Sequence, residues 1–110
     1  MLSASDQALV RELKSRLRKV AAERFQSCIV YGSRALGCGG PDSDLDVLVT
    51  VTNLTPELED TLQEAAYQVM WNHDFTPLIS LQVCDVKDFA AYHDQGFSFY
   101  RKVAREGITV

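Results

Sequence analysis

The sequence predicts an α+β fold, a small mixed β-sheet with helices packed mainly on one face. Three observations lead there. Helical and strand periodicities succeed one another in the order helix, strand, helical turn, strand, helix, strand, helices. The clearest strand, "DLDVLVTV" from Asp44 to Val51, alternates. Leu45, Val47, Val49 and Val51 share an apolar face, and Asp44, Asp46 and Leu48 share the other. The chain has 110 residues, 46% of them hydrophobic, so one domain over 1–110 with one modest core is expected.

Each element has its own signal. Asp6 to about Arg24 carries Leu9, Leu13, Leu17 and Val20 at intervals of three or four, with Arg and Lys between them, which predicts an amphipathic helix. Ser5 is the expected cap, and Asp6 suits the positive end of the helix dipole. "SCIVY", Ser27 to Tyr31, is a short apolar run rich in strand formers and predicts a buried strand. "GSRALG" reads as a turn with one turn of helix, and "CGGPDS" as a loop on its glycine and proline. Thr55 and Pro56 open a helix with Leu58, Leu62, Ala65, Ala66, Val69 and Met70 on one side, ending near Asn72. "LISLQVC", Leu78 to Cys84, alternates again, with Ile79, Leu81 and Val83 on one face and Ser80 and Gln82 on the other. Asp85 is the expected cap of a short helix holding Phe89 and Tyr92. Ser98 to about Glu106 forms the last helix, stopped at Gly107, and "ITV" offers a final strand. The sheet face with the aspartates is expected to be the more open one.

Composition narrows the function. A net charge of −4 argues against a general nucleic-acid binder, which would carry a basic face. Cys28, Cys38 and Cys84 are odd in number and without C-x-x-C spacing, so neither a zinc site nor a disulfide framework is indicated. Cys28 and Cys84 read as small core residues, and Cys38 as a loop residue with no base beside it. His73 and His93 are isolated and read as surface or helix-end residues. Trp71, Phe97, Phe99 and Tyr100 read mainly as core, with a docking patch as the alternative. "MLSASDQALVRELK" has no apolar signal core and no segment is long enough to span a membrane, so a cytoplasmic protein is expected.

Asp44 and Asp46 are the feature that folding does not explain. Two carboxylates at i and i+2 on a strand point to one side and repel each other. An acidic pair at a strand start is more often a solvated strand end, but a hard cation such as Mg²⁺ would offset the repulsion. Mg²⁺ takes one or two carboxylates together with substrate phosphates. The preceding turn supplies the other half. Gly32 lets backbone approach a ligand, Ser33 opens a helical turn whose free N–H groups suit an anion, and Arg34 is a candidate to neutralise a phosphate. Metal carboxylates and phosphate donors, joined by a flexible loop, would hold a metal-bound triphosphate.

Gly32-Ser33, ten intervening residues, then Asp44-Leu45-Asp46 resembles the signature of the nucleotidyltransferase superfamily related to DNA polymerase beta. The resemblance is closest to its minimal nucleotidyltransferases (MNT), paired in prokaryotes with HEPN proteins, and the tail "FYRKVAREGI" resembles that family too. It implies a nucleotidyltransferase-like fold, with Asp44 and Asp46 as catalytic and metal-binding residues for Mg²⁺ or Mn²⁺. Gly32, Ser33 and Arg34 would bind the triphosphate of ATP. It also implies an acceptor on a partner, a HEPN-type toxin that receives AMP, with this chain as the antitoxin. A chain this short has room for little beyond the catalytic sheet, so a partner or a second copy would complete the site.

One departure from the family pattern matters. Active members carry a third carboxylate on the neighbouring strand, and no Asp or Glu occurs between Leu78 and Cys84. Ser80 and Gln82 hold that polar face, Asp74 lies before the break at Pro77, and Asp85 has the opposite parity. Two functions follow. One is a Mg²⁺-dependent transferase that adenylylates a partner. The other is a degenerate nucleotidyltransferase fold that neutralises a partner by binding alone. A receiver domain also clusters aspartates, but it needs a five-strand parallel pattern that is absent here.

Overall fold

The structure, a computed structural model, describes residues 2–110. Helix α1 spans Ala4–Ala21 and a short 3-10 turn follows at Ala22–Arg24. Strand β1 is Phe25–Tyr31, helix α2 Gly32–Leu36, strand β2 Leu45–Val51 and helix α3 Pro56–Asn72. Strand β3 is Ile79–Asp85, followed by α4 at Val86–Asp94, α5 at Ser98–Glu106 and β4 at Ile108–Thr109.

The four strands form one mixed sheet in the order β3-β2-β1-β4. β1 runs antiparallel to both β2 and β4, and β2 runs parallel to β3. The parallel pair needs a crossover, which α3 supplies. Helices α1 and α3 pack together and cover the sheet face of Val30, Leu45, Val47, Val49 and Leu81, the main core. The expected arrangement, with the long helices on one face, is therefore observed. On the other face α4 and α5 make a smaller cluster around Leu48, Cys84 and Val103. They leave Asp46 and Ser80 half-buried and Gln82 exposed.

Details at the helix ends differ from expectation for local reasons. Ser3, not Ser5, caps α1, because its hydroxyl accepts from the Asp6 N–H at 3.1 Å. The helix stops at Ala21 rather than Arg24, since Ala22 takes a φ of 51° that no helix continues through. Thr55 and Asp85 cap α3 and α4 as expected. Gly107 ends α5 in extended rather than left-handed conformation, because the chain passes straight into β4. A side chain there would collide with Ile29 and the Val103 carbonyl.

The aromatic residues correct the core expectation. Trp71 is 62% exposed, Phe97 52% and Phe99 40%, while Tyr100 is partly buried. Aliphatic residues of α1, α3 and the strands already fill the main core, so these rings have nowhere inside to go. Cys28 and Cys84 are buried, and burial pushes the Cys28 thiol up to about 11, an inert group at neutral pH. His73 sits at the end of α3 against Glu12 at 3.0 Å, and His93 lies in the last turn of α4.

Candidate active site

The candidate site is built where β1 ends and β2 begins. Tyr31 and Asp46 face each other across the antiparallel ladder, so their side chains share the face that α4 and α5 cover in part rather than leave open. The chain then turns at Gly32 with φ +79°. A Cβ on Gly32 would overlap the Asp46 carboxylate oxygen and sit 3.2 Å from its Cγ. The missing side chain is thus the space in which the Asp46 carboxylate lies, against the backbone that opens α2.

Helix α2 presents first-turn N–H groups that have no intrahelical acceptor. Ser33 is exposed beside them. The loop that follows folds back over this turn. The Ser33 carbonyl accepts from the N–H groups of Cys38 (2.9 Å) and Gly39 (3.1 Å). A Cβ on Gly39 would come within 3.1 Å of the Ser33 hydroxyl and 2.6 Å of the Ser43 hydroxyl. Glycine there lets the loop close on the hydroxyl without displacing it.

Arg34 has a different setting from the one its sequence position suggests. Its Nη1 donates to both carboxylate oxygens of Asp6, at 2.9 and 3.1 Å. Its Nε donates to the Ser43 carbonyl at 2.8 Å, and Nη2 to the Pro41 carbonyl at 3.1 Å. The pair is nearly buried, with side-chain exposures of 13% and 8%. Arg34 thus ties the loop to α1, and its donors are occupied by protein oxygens. Sequence reasoning missed Asp6, although a signal existed. Asp6, Leu9, Leu13 and Leu17 recur at intervals of three or four, which puts a carboxylate on the buried face of α1.

Asp44 is exposed and Asp46 half-buried. Burial first, and the charge of Asp44 second, push the Asp46 carboxyl above the usual range. Burial and the charge of Asp46 likewise raise the Tyr31 hydroxyl. No cation pairs with either aspartate among the described residues. Beside Asp46 in the parallel register stands Ser80. Asp85 is at the far end of that strand, opposite Val51, where its carboxylate accepts from Lys87 and Leu54 N–H groups. Those bonds hold its carboxyl below the usual range. Asp74 is exposed in the turn after α3, with φ 55°. Among the described residues, no three His, Cys, Asp or Glu side chains gather as a metal site.

The donor chemistry at this site suits a hard divalent cation that brings phosphate oxygens with it. Two carboxylates stand together, one of them raised by burial first and by its neighbour's charge second, with anion-seeking N–H groups next to them. A cleft of about 190 Å³ flanks Asp44, between the loop and Phe75, Pro77 and Leu78. The larger cleft, about 490 Å³, lies on the α1 side of Arg34, and neither aspartate lines it.

The model of the nucleotidyltransferase domain matches residues 10–95 of this chain. The chain belongs to the nucleotidyltransferase family. Nucleotidyl transfer is that family's chemistry, and Gly32, Ser33, Asp44 and Asp46 all lie within the matched residues. Two solved structures share the fold. One is a toxin–antitoxin crystallised with AMP-PNP, 16% identical, with a TM-score of 0.55 over 88% of this chain and 68% of that one. The other is a protein of Sulfolobus solfataricus assigned as a nucleotidyltransferase, 15% identical, with a TM-score of 0.50 over 99% and 87%. No curated protein matches the chain. Among the described residues, no helix is long and apolar enough to cross a membrane.

Proposed function

We propose that this nucleotidyltransferase moves AMP from ATP to a hydroxyl of a partner protein, a HEPN-type toxin, and so acts as its antitoxin in the cytoplasm. The observation that carries the reading is the seat of Asp46 on Gly32, with Asp44 beside it. That contact sets a carboxylate pair against a phosphate-binding turn. Asp44 and Asp46 would hold Mg²⁺ or Mn²⁺, which supplies charge neutralisation at the triphosphate and at the attacking oxygen. Ser33 and the α2 N–H groups hold phosphate oxygens. Gly32 keeps the backbone close enough for both, and Arg34 holds the loop in place rather than meeting the phosphates. The acceptor oxygen bonds to the α-phosphorus, the bond to pyrophosphate breaks, and the hydroxyl proton passes to solvent or to a base of the partner. The toxin–antitoxin crystallised with AMP-PNP supports both the partner and the adenine nucleotide.

A second reading rests on Ser80. Where a third carboxylate would serve as base, a hydroxyl lies beside Asp46. A chain with a weak or absent base could neutralise its partner by binding alone. One experiment separates the two. The chain is incubated with a HEPN partner, Mg²⁺ and each of the four triphosphates, and both proteins are weighed. A nucleotide mass on the partner, lost in Asp44→Asn, supports transfer. Neutralisation with no mass change, kept in Asp44→Asn, supports the binding module.

A further inference from the structure

The N-terminus of α5 brings a second feature to this site. α5 packs against α2 and β1, the elements that carry Gly32 and Tyr31. Phe99, in its first turn, meets the Tyr31 ring edge-on at 5.5 Å between centroids and 87° between planes. It meets Tyr100 in the same way at 5.1 Å and 90°. Two neighbours thus fix its orientation, yet the residue stays 40% exposed. Tyr31 is the register partner of Asp46 and the residue before Gly32. The exposed ring is therefore one side chain away from both the carboxylate pair and the phosphate-binding turn.

We propose that Phe99 is the platform on which the base of the bound nucleotide stacks. The inference rests on the triphosphate reading of the neighbouring site and extends it to the base. A fixed aromatic ring offers its π-face to any flat base, with the larger overlap for purines. It reads no base edges. The site therefore prefers purine over pyrimidine triphosphates and separates adenine from guanine only weakly. Tyr31 and Tyr100 are positioning residues, because they hold the ring rather than meet the base.

Titration calorimetry with two probes in Mg²⁺, ATP and inorganic tripolyphosphate, tests the proposal. Phe99→Leu keeps an apolar side chain of similar size but removes the ring, and Phe99→Trp keeps a ring. The expected result is ATP binding weakened about five- to 150-fold in Phe99→Leu, the loss that one base–aromatic stack gives. Tripolyphosphate affinity stays unchanged, which also shows that the variant is folded. Phe99→Trp restores ATP binding, and ATP but not tripolyphosphate quenches its added fluorescence. Unchanged ATP affinity in Phe99→Leu overturns the stacking proposal while the phosphate site stands. An equal loss for both probes overturns it too, since the ring would then matter only for the fold. If wild type binds neither probe, the triphosphate reading falls and takes the stacking proposal with it.

Discussion

Replacing Gly32 by alanine should damage the protein in two separable ways. The first is conformational. Gly32 sits at φ +79°, and an L-residue in left-handed backbone costs about 1–2 kcal/mol. The second is steric. The new Cβ would overlap an Asp46 carboxylate oxygen and stand 3.2 Å from its Cγ and 3.4 Å from its Cβ. Overpacking of this kind costs about 1–3 kcal/mol. Together they predict a loss of roughly 2–5 kcal/mol, and at about 4–8 °C per kcal/mol a Tm at least about 8 °C lower. Asp46→Ala removes the overlapping oxygen but leaves the backbone angle. The double variant should therefore recover the steric part and keep the conformational part. Thermal or urea unfolding of the four proteins reads the coupling directly. Additivity within about 0.5 kcal/mol would refute the contact between Gly32 and the Asp46 carboxylate.

Other perturbations have opposite signs that the structure assigns. The Asp46 carboxyl is raised in the fold, so its ionisation opposes folding. Wild type loses that stability as pH rises above 3.8 through the raised value, and Asp46→Asn should flatten this slope and be no less stable at pH 7. The Asp85 carboxyl is lowered instead. Its contribution is present above 3.8 and lost as pH falls through the lowered value, so Asp85→Ala should be less stable at pH 7 and lose its deficit in acid. Asp6→Ala leaves Arg34 nearly buried without its carboxylate and should cost about 3–5 kcal/mol, with faster proteolysis of the 37–43 loop, whereas Asp6→Leu with Arg34→Met should recover most of it. Ser80→Asp places a carboxylate beside Asp46 and should raise transfer about a hundredfold if the missing base limits turnover, as the mass assay would show.

Much of the candidate site was legible because strand periodicity is rigid. The alternation of Leu45, Val47, Val49 and Val51 fixes which way Asp46 points, while Asp44 stands one residue before the strand. The alternation of Ile79, Leu81 and Val83 fixes Ser80 and Gln82 in the same way. The observed register then sets Ser80 beside Asp46. The role of Asp85 as a cap was legible from its parity and from the helix that follows it. Arg34 was not, because its partner lies 28 residues away and local pattern carries no pairing information. The same limit applies to the aromatic rings. Their hydrophobicity says they favour a core, but only the assembled sheet shows that aliphatic side chains have filled it and that Phe99 stays outside. The cap at Ser3 was missed because Ser3 and Ser5 are equally good caps by residue type.

In the proposed function, Asp44, Asp46 and the turn at Gly32 form one shared site for metal and triphosphate. Calorimetry of ATP binding in Mg²⁺ and in chelator, on wild type and on Asp44→Asn with Asp46→Asn, tests it most directly. Binding should be tight only for wild type in Mg²⁺ and should weaken to the same degree when either the metal or the carboxylate pair is removed. Equal ATP affinity in Mg²⁺ and in chelator, unchanged in the double variant, would contradict it.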